Sequence, residues 1–139
     1  EQKIESIHNY IDFTDFIIRK GAINAHEGKL CLIALNMVDG ILLCSGKGNE
    51  EWNYSSAHGS GRIMTRKVAI NKIQPMTKRL EKIMKEKEII TYPTIGTVID
   101  ESPECYKDTD FICEKIQDSI VILEQLKPFL NIKNISEGR

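Results

Sequence analysis

A histidine, two glycines and two arginines lie close together in the middle of the sequence. His58 is followed by the segment Gly59-Ser60-Gly61, and Arg62 and Arg66 come after it. A neutral imidazole is a nucleophile near physiological pH, and glycines let the backbone approach a ligand closely. If Arg62 and Arg66 lay on one helix, their spacing of four would put them on one face, where guanidinium groups can bind phosphate oxygens. These residues could form a histidine nucleophile beside a phosphate site, although an exposed histidine in a glycine-rich turn has the same composition.

Length and composition indicate one soluble domain. The 139 residues are enough for a core, and a hydrophobic content of 41% with a mean hydropathy of -0.28 is ordinary for a soluble protein. No apolar run reaches the length of a membrane span, and the first residues do not resemble a signal peptide. The four cysteines contain no Cys-x-x-Cys pair, which favours buried, reduced thiols over a zinc site. We expect a single domain over residues 1–139, located in the cytoplasm and not bound to membranes.

Basic residues are concentrated in one segment. Between Arg62 and Lys87 there are nine Lys or Arg residues against Glu81 and Glu86, so this segment has an excess of seven positive charges although the whole chain has a net charge of -1. Such a segment suits a polyanionic partner. A lysine-rich helix facing solvent would have the same charge pattern.

Several strands are expected in the first half of the chain and near residue 90. Residues 30–35 and 41–44 are two apolar runs, and the dipeptide Asp39-Gly40 between them is a strong turn signal. An apolar strand at residues 16–18 leads into a basic turn that contains Lys20, which would normally be an exposed lysine. Residues 89–92 also have the composition of a strand.

The helical patterns complete an α+β prediction, a mixed sheet with two or three packed helices. Apolar spacing predicts a short helix over residues 4–11, a helix over 63–73, and a second one that starts at Pro75. The longest predicted helix is capped by Asp108 or Thr109 and ends near residue 127. Its expected buried stripe consists of Phe111, Ile112, Ile116, Ile120, Leu123 and Leu126.

Residues 58–66, His-Gly-Ser-Gly-Arg-Ile-Met-Thr-Arg, resemble the HGAGR-x-MSR signature of the RtcB-type RNA ligases. Four other pieces recur in that family's order: Ile7-His8-Asn9, Arg19-Lys20-Gly21-Ala22, Glu101-Ser102-Pro103 with Tyr106-Lys107, and Lys127-Pro128 through Lys133. The similarity covers nearly the whole chain but only the C-terminal part of the family's usual length. Five spaced matches in one order are far more specific than any one of them.

The resemblance implies an RNA ligase that uses GTP and Mn²⁺. The histidine would attack the α-phosphate of GTP to form a covalent histidine–GMP intermediate, and GMP would pass to an RNA 3′-phosphate, which can derive from a 2′,3′-cyclic phosphate. A 5′-hydroxyl end would then displace GMP and seal the strand, in RNA repair or tRNA splicing. A protein activator is a possible further partner.

The resemblance also implies a role for particular residues. His58 would be the nucleophile and His8 a metal ligand, although a histidine such as His8 more commonly hydrogen-bonds to backbone at the edge of a core. The nucleotide would be bound by Asn9, Lys20, Asn36, Met37, Gly59, Ser60, Gly61, Arg62, Tyr106 and Lys133. Arg62 and Lys20 would hold phosphates, Tyr106 would stack on the base, and Lys133 would reach the guanine.

The chain departs from the family at two kinds of position. Asn36 and Ile41 stand where the family carries serines in its nucleotide site, which leaves guanine specificity open. The family's other metal ligands, a cysteine and further histidines among them, belong to an N-terminal half for which we expect a complementing polypeptide. His26 lies in a turn without metal-ligand spacing. Adjacent Asp100 and Glu101 are interpreted as structural residues or as ordering the loop around Tyr106. The alternative function is a non-catalytic GMP- or RNA-binding fragment that works only with a complementing chain.

Overall fold

The computed structural model describes residues 3–133 and has an α+β fold, as the sequence predicts. The strands are β1 (Asn9–Asp12), β2 (Ile17–Lys20), β3 (Ala22–Asn24), β4 (Leu30–Ala34), β5 (Ile41–Gly46), β6 (Ser55–Ala57), β7 (Ile90–Tyr92), β8 (Ile120–Leu126) and β9 (Leu130–Ile132). The α-helices are α1 (Arg66–Ile73), α2 (Thr77–Glu86) and α3 (Thr109–Lys115). Short 3-10 helices cover Glu50–Trp52, Gln74–Met76, Ile95–Glu101 and Pro103–Cys105. None of the helices in the described range is long and apolar enough to cross a membrane.

The strands form small sheets, of which the largest has three strands. Its order is β4-β5-β8, with both pairs antiparallel. The β4–β5 hairpin confirms the turn predicted at Asp39-Gly40, because Asn36 accepts the hydrogen bonds that close it and Gly40 has a φ of +84°. The other pairs are β1-β2 and β3-β6, both antiparallel, and the parallel pair β7-β9.

Two clusters of buried apolar residues lie in the described part of the chain. The first joins β3, β4 and β5 to α3 and the start of β8, and includes Ile33, Leu42 and Ile112. The second packs α1 and α2 against the 3-10 helix Ile95–Glu101, and includes Leu80 and Val98. Cys31, Cys44 and Cys105 are buried free thiols, as the sequence predicts, and Cys113 is partly buried.

The predicted helix over residues 108–127 is wrong in its second half. Asp108 does cap a helix, with its carboxylate accepting from the N–H groups of Asp110 and Phe111, but the helix ends at Lys115. Residues from Ile120 onward form β8, which pairs with β5 along its whole length. Consequently the expected apolar stripe does not exist as a helix face: Ile112, Ile116 and Ile120 are buried, whereas Phe111, Leu123 and Leu126 are exposed.

Two other predicted helices also differ from the structure. Residues 4–11 do not form a helix, because residues 9–12 pair as β1 with β2. The helix predicted over residues 63–73 begins only at Arg66, capped by the Thr65 hydroxyl. Arg62 therefore precedes the helix, and the two arginines do not share a helical face. Pro75 lies in a short 3-10 helix directly before α2, close to its predicted position.

Candidate active site

The loop that carries His58 is fixed against β4 by its backbone. The Ala34 N–H donates to the His58 carbonyl at 3.1 Å, and the Ser60 N–H donates to the Ala34 carbonyl at 2.9 Å. A Cβ on Gly59 would lie 2.8 Å from that same Ala34 oxygen, closer than real Cβ contacts. The first glycine of the motif is therefore required for this loop to lie flat on the strand edge.

The other end of the loop is held by the segment around Tyr106. The Ile63 N–H donates to the Cys105 carbonyl at 2.9 Å, and the Lys107 N–H donates to the Gly61 carbonyl at 3.0 Å. Gly61 has a φ of +70°, a conformation that residues with a Cβ rarely adopt. The five residues from His58 to Arg62 thus lie between two sets of backbone hydrogen bonds.

His8 and His58 are brought together, although fifty residues separate them in sequence. Their rings stack with centroids 4.5 Å apart and planes 20° from parallel. The turn at Gly21 makes this contact possible: its N–H donates to the His8 carbonyl and to the Asn9 amide oxygen, both at 2.9 Å. A Cβ on Gly21 would lie 3.4 Å from the His58 ring, an ordinary van der Waals contact, but Gly21 has a φ of +67°, which residues with a Cβ rarely adopt.

The environment of His58 favours its neutral form. Burial lowers the pKa of His58 from its usual value of 6.5, and the neighbouring His8 lowers it further. An unprotonated ring nitrogen has a free lone pair, which a nucleophile needs. The ring is only partly buried, so a substrate can approach it.

The described residues do not supply a complete manganese site. Within residues 3–133 there is no group of three or more His, Cys, Asp or Glu side chains placed to hold a metal ion. His26 is engaged elsewhere, with Nε2 3.0 Å from an Asp15 carboxylate oxygen and its ring stacked on Tyr54. The two stacked imidazoles at His8 and His58 do not fit Mn²⁺ by themselves, because that ion prefers several oxygen-rich ligands.

A cavity of about 680 Å³ opens beside His58. That volume lies within the range of roughly 300–1,000 Å³ typical of small-molecule sites. It is lined by nine of the predicted site residues: Asn36, Met37, His58, Gly59, Ser60, Gly61, Arg62, Tyr106 and Lys133. Asn9 and Lys20 lie outside it, as cross-strand partners on the exposed face of β1 and β2.

Arg62 contacts carboxylates and a phenol at the wall of this cavity. Its guanidinium donates to the Tyr106 hydroxyl at 3.1 Å, to Glu101 at 3.3 Å, and to the Asp100 backbone carbonyl. Arg66 donates to the Asp100 carboxylate at 2.9 Å and to Glu101. The two arginines therefore converge on one acidic pair, a placement that the helical-face argument did not foresee.

Glu101 is the centre of this network. Burial by itself would raise the pKa of Glu101, but the hydrogen bond from Tyr106 and the charges of Lys133, Arg66 and Arg62 lower it below the usual value. The Lys133 ammonium lies 3.7 Å from the Glu101 carboxylate. Burial and the same carboxylate raise the pKa of Tyr106 to about 12, so its hydroxyl stays protonated. These contacts confirm the interpretation that Glu101 orders the loop around Tyr106.

Asn36 and Met37 border the cavity but serve the fold as well. The Asn36 amide oxygen accepts from the N–H groups of Val38 and Asp39 at 2.9 Å, and its NH₂ donates to the Asp39 carboxylate at 2.7 Å. Met37 is a buried member of the second apolar cluster. The Asn36 side chain is thus committed to the turn in this arrangement.

The sequence prediction placed Ile41 at the nucleotide site but missed the rest of an apolar wall of the cavity. It is formed by the segment that joins β8 to β9 and by the start of β5: Ile41, Leu126, Pro128, Phe129 and Leu130. Phe129 is 77% exposed, so its ring is open to a flat ligand. The available signal was the apolar composition between Lys127 and Lys133, which the prediction of a long helix ending at residue 127 obscured.

Comparison with known proteins gives one consistent result. A family model described as tRNA-splicing ligase RtcB matches residues 1–134. The RNA-splicing ligase RtcB of Escherichia coli K12 is 27% identical over 140 residues, which cover 95% of this chain and 33% of that ligase. RNA-splicing ligase RtcB1 from another Escherichia coli strain is 28% identical with the same coverage. The chain spans about a third of the length of the curated relatives that it matches.

Proposed function

Because the chain belongs to the tRNA-splicing ligase RtcB family, we propose that it is the nucleotide-binding part of an RNA ligase. The ligase joins an RNA 3′-phosphate, or a 2′,3′-cyclic phosphate, to a 5′-hydroxyl end in RNA repair or tRNA splicing in the cytoplasm. The observation that carries this proposal is the His8–His58 stack at the edge of the 680 Å³ cavity. A partly buried imidazole with a lowered pKa, beside a cavity of this size, supports the assignment of His58 as the nucleophile.

His58 acts as the nucleophile in this proposal. Its ring nitrogen forms a bond to the α-phosphorus of GTP while the bond to pyrophosphate breaks, which leaves GMP attached to the histidine. The RNA 3′-phosphate then takes GMP from His58, and the 5′-hydroxyl displaces GMP to form the phosphodiester. A terminal phosphate has no good leaving group until it carries GMP, so splitting the exchange into steps lowers the barrier.

The cavity walls orient the nucleotide. Arg62, which lines the cavity, supplies positive charge for phosphate oxygens, and Lys133 would reach the guanine. The exposed ring of Phe129 offers a further surface on which a base can stack. Glu101 is a positioning residue, because it holds Arg62, Tyr106 and Lys133 in one arrangement. Asn9 and Lys20 would meet the ligand from the side of the β1–β2 hairpin.

Manganese would be held only in part by this chain. When bound, such an ion neutralises charge on a reacting phosphate. His8 is the ligand proposed here, and the remaining ligands would come from a complementing polypeptide, since the described residues provide no third donor nearby.

The incomplete metal site supports a second candidate function. A chain that cannot complete the metal site by itself could be a non-catalytic module that binds GMP or RNA and works only with a complementing chain. The backbone N–H groups around His58 and the Arg62 side chain do not require a metal to bind an anion, so loose nucleotide binding is expected in either case.

The test is the intact mass of the 139-residue chain after incubation with GTP and Mn²⁺, alone and with the complementing part of an RtcB ligase. We expect the chain to fold, because it has two buried apolar clusters, and to gain the mass of GMP only with its complement. RNA with 3′-phosphate and 5′-hydroxyl ends should likewise be sealed only by the combination. Sealing by the chain alone would contradict the incomplete metal site, and nucleotide binding without any adduct in the combination would favour the non-catalytic module.

A further inference from the structure

The hairpin formed by β1 and β2 has its charged face inside and its apolar face outside. In the register of the hairpin, Tyr10 is opposite Arg19 and Ile11 is opposite Ile18. Arg19 is 1% exposed and faces inward, where it donates to the carboxylates of Asp12 at 3.1 Å and Asp15 at 2.7 Å. An antiparallel hairpin with one covered face normally turns its apolar side chains toward that face. Here the covered face is occupied by an ion-pair network.

The outer side of the hairpin exposes several large apolar side chains. Their exposed fractions lie between 53% and 82%: Ile11, Phe13, Phe16 and Ile18. Two of them are direct cross-strand neighbours, and the phenylalanines lie at either side of the turn that joins the strands. Apolar patches of this kind mark sites where another surface binds.

A second exposed apolar region, near β7 and β9, has a different setting. Ile90 and Ile132 are exposed there, but the adjoining residues Phe129 and Leu130 line the nucleotide cavity. That region borders a ligand site. In contrast, Ile11, Phe13, Phe16 and Ile18 line neither that cavity nor the smaller one of about 230 Å³ beside Tyr10 and Asp12.

We propose that the outer face of the β1–β2 hairpin, defined by Ile11 and Ile18 with Phe13 and Phe16 of the adjoining turn, is the docking surface for the part of the ligase that this chain does not span. The curated relatives are about three times as long as the matched region, so about two thirds of each relative has no counterpart here. We propose that polypeptide as the binding partner of this surface. The inference rests on family membership and not on the nucleotide chemistry proposed above, and it is therefore tested by binding.

The position of this surface connects it with the histidine pair. Side chains alternate along a strand, so Asn9 lies on the same face as Ile11, and its cross-strand partner Lys20 lies on the same face as Ile18. His8 comes one residue before the hairpin and stacks on His58. A polypeptide bound to the outer face would therefore reach Asn9, Lys20 and the neighbourhood of His8 at once.

The experiment measures assembly of the 139-residue chain with the unmatched two thirds of the Escherichia coli ligase, produced together in one cell. The hairpin variant is Ile11→Ser with Ile18→Ser. The control variant is Leu123→Ser with Ile132→Ser, two residues with nearly the same exposed fractions, 53% and 71% against 53% and 74%. In a second measurement, Phe16→benzoylphenylalanine reports by photocrosslinking whether the partner lies on the hairpin.

We expect a one-to-one complex, weakened about tenfold or more by the hairpin variant and less than about threefold by the control. The crosslink should join the two polypeptides. Both variants should unfold at the same temperature as the unchanged chain, because the substituted side chains are exposed. Equal weakening by both variants would overturn the proposal. The absence of a complex would also overturn it, and so would a crosslink that joins two copies of the chain. A complex that forms without any guanylate on His58 would leave the docking surface intact while contradicting the proposed chemistry.

Discussion

The two ends of the loop from His58 to Arg62 meet their neighbours in opposite ways. At the histidine end, the ring of His58 stacks on the imidazole of His8, which lowers the pKa of His58. At the arginine end, Arg62 and Arg66 converge on Asp100 and Glu101. The arginine end is electrostatically complete within the chain, whereas a stack of two imidazoles becomes unfavourable as soon as both are protonated. The comparison indicates that the arginine end is preorganised, whereas the histidine end is arranged to bind a group that the described residues do not supply.

The largest expected effect is on the histidine end. In the assembled ligase, His58→Ala should abolish the covalent guanylate because no other residue of the loop offers an unprotonated ring nitrogen. Labelled GMP on the protein after denaturation is the measurement. His26→Ala is the matched control and should keep the label, since His26 contacts Asp15 and Tyr54 instead. Label that persists on His58→Ala would show that the nucleophile is a different residue.

The arginine end should respond through stability. Glu101→Ala removes the carboxylate that Arg62, Arg66 and Tyr106 contact, and we expect the free energy of unfolding to fall by about 2 kcal/mol. Glu86→Ala is the control, because Glu86 lies in an exposed pair 3.7 Å from Lys82, and such pairs contribute less than about 1 kcal/mol. Urea titration of the 139-residue chain measures both, and equal losses would mean that the network at Glu101 is no stronger than a surface pair.

The stability difference at Glu101 should also depend on pH. Because the pKa of Glu101 is lower in the folded chain than its usual 4.5, its contribution is present above about that pH and is lost as the pH falls through the folded value. The free energies of unfolding of the unchanged chain and of Glu101→Ala should therefore converge as the pH falls. A difference that stays constant down to the lowest pH would contradict the assigned direction of the pKa shift.

The basic helix α2 follows the arginine end after α1. The effect that we expect from changing its charge is smaller. Lys78, Lys82 and Lys85 lie on one exposed side of α2, and replacing all three by Glu should weaken RNA binding about tenfold at low salt. The slope of log affinity against log salt should fall by about 2, at roughly 0.7 for each lost phosphate contact with single-stranded RNA. Fluorescence anisotropy over a salt series is the measurement.

The matched control for the α2 variant replaces Lys3, Lys29 and Lys115 by Glu, which changes the net charge by the same amount at positions outside α2. If this control weakens RNA binding equally, the basic side of α2 is ordinary solvated surface.

The smallest expected effect tests the histidine pair directly. His8→Ala should raise the pKa of His58, but only part of the way to 6.5, because burial is the larger cause of the lowering. Since the unfolded chain binds that proton more readily than the folded one, the unchanged chain should lose stability as the pH falls from 6.5 toward the folded value, and the variant should lose less. NMR titration of the His58 ring gives the pKa, and an unchanged value would mean that His8 does not act on His58.

Local signals in the sequence were enough to predict the β4–β5 hairpin, the Asp108 cap and the α+β class. Asp39-Gly40 and Asp108 act through backbone hydrogen bonds to residues nearby in sequence, so their effect is visible in a short window. Residues 120–126 are different. Their spacing continues that of Ile112 and Ile116, and only pairing with β5, more than seventy residues earlier, makes them a strand.

The candidate site shows the same division. The motif at residues 58–62 is recognisable from the amino-acid sequence. The predicted site residues Tyr106 and Lys133 do line the same cavity. Their roles as ligand contacts remain predictions. The pairing of Arg62 with Glu101 could not be foreseen, because it depends on the approach of two loops almost forty residues apart. The same holds for the stacking of His8 on His58, which depends on the turn at Gly21.

The backbone hydrogen bonds at both ends of the histidine loop would limit how the proposed reaction proceeds. Ala34 holds one end and the Cys105–Lys107 segment holds the other, so His58 is not carried on a swinging arm. A nucleotide attached to its ring would stay at a fixed point of the surface. Each RNA end would have to travel to that point in turn, and the order in which the ends arrive would be set by the geometry around the histidine.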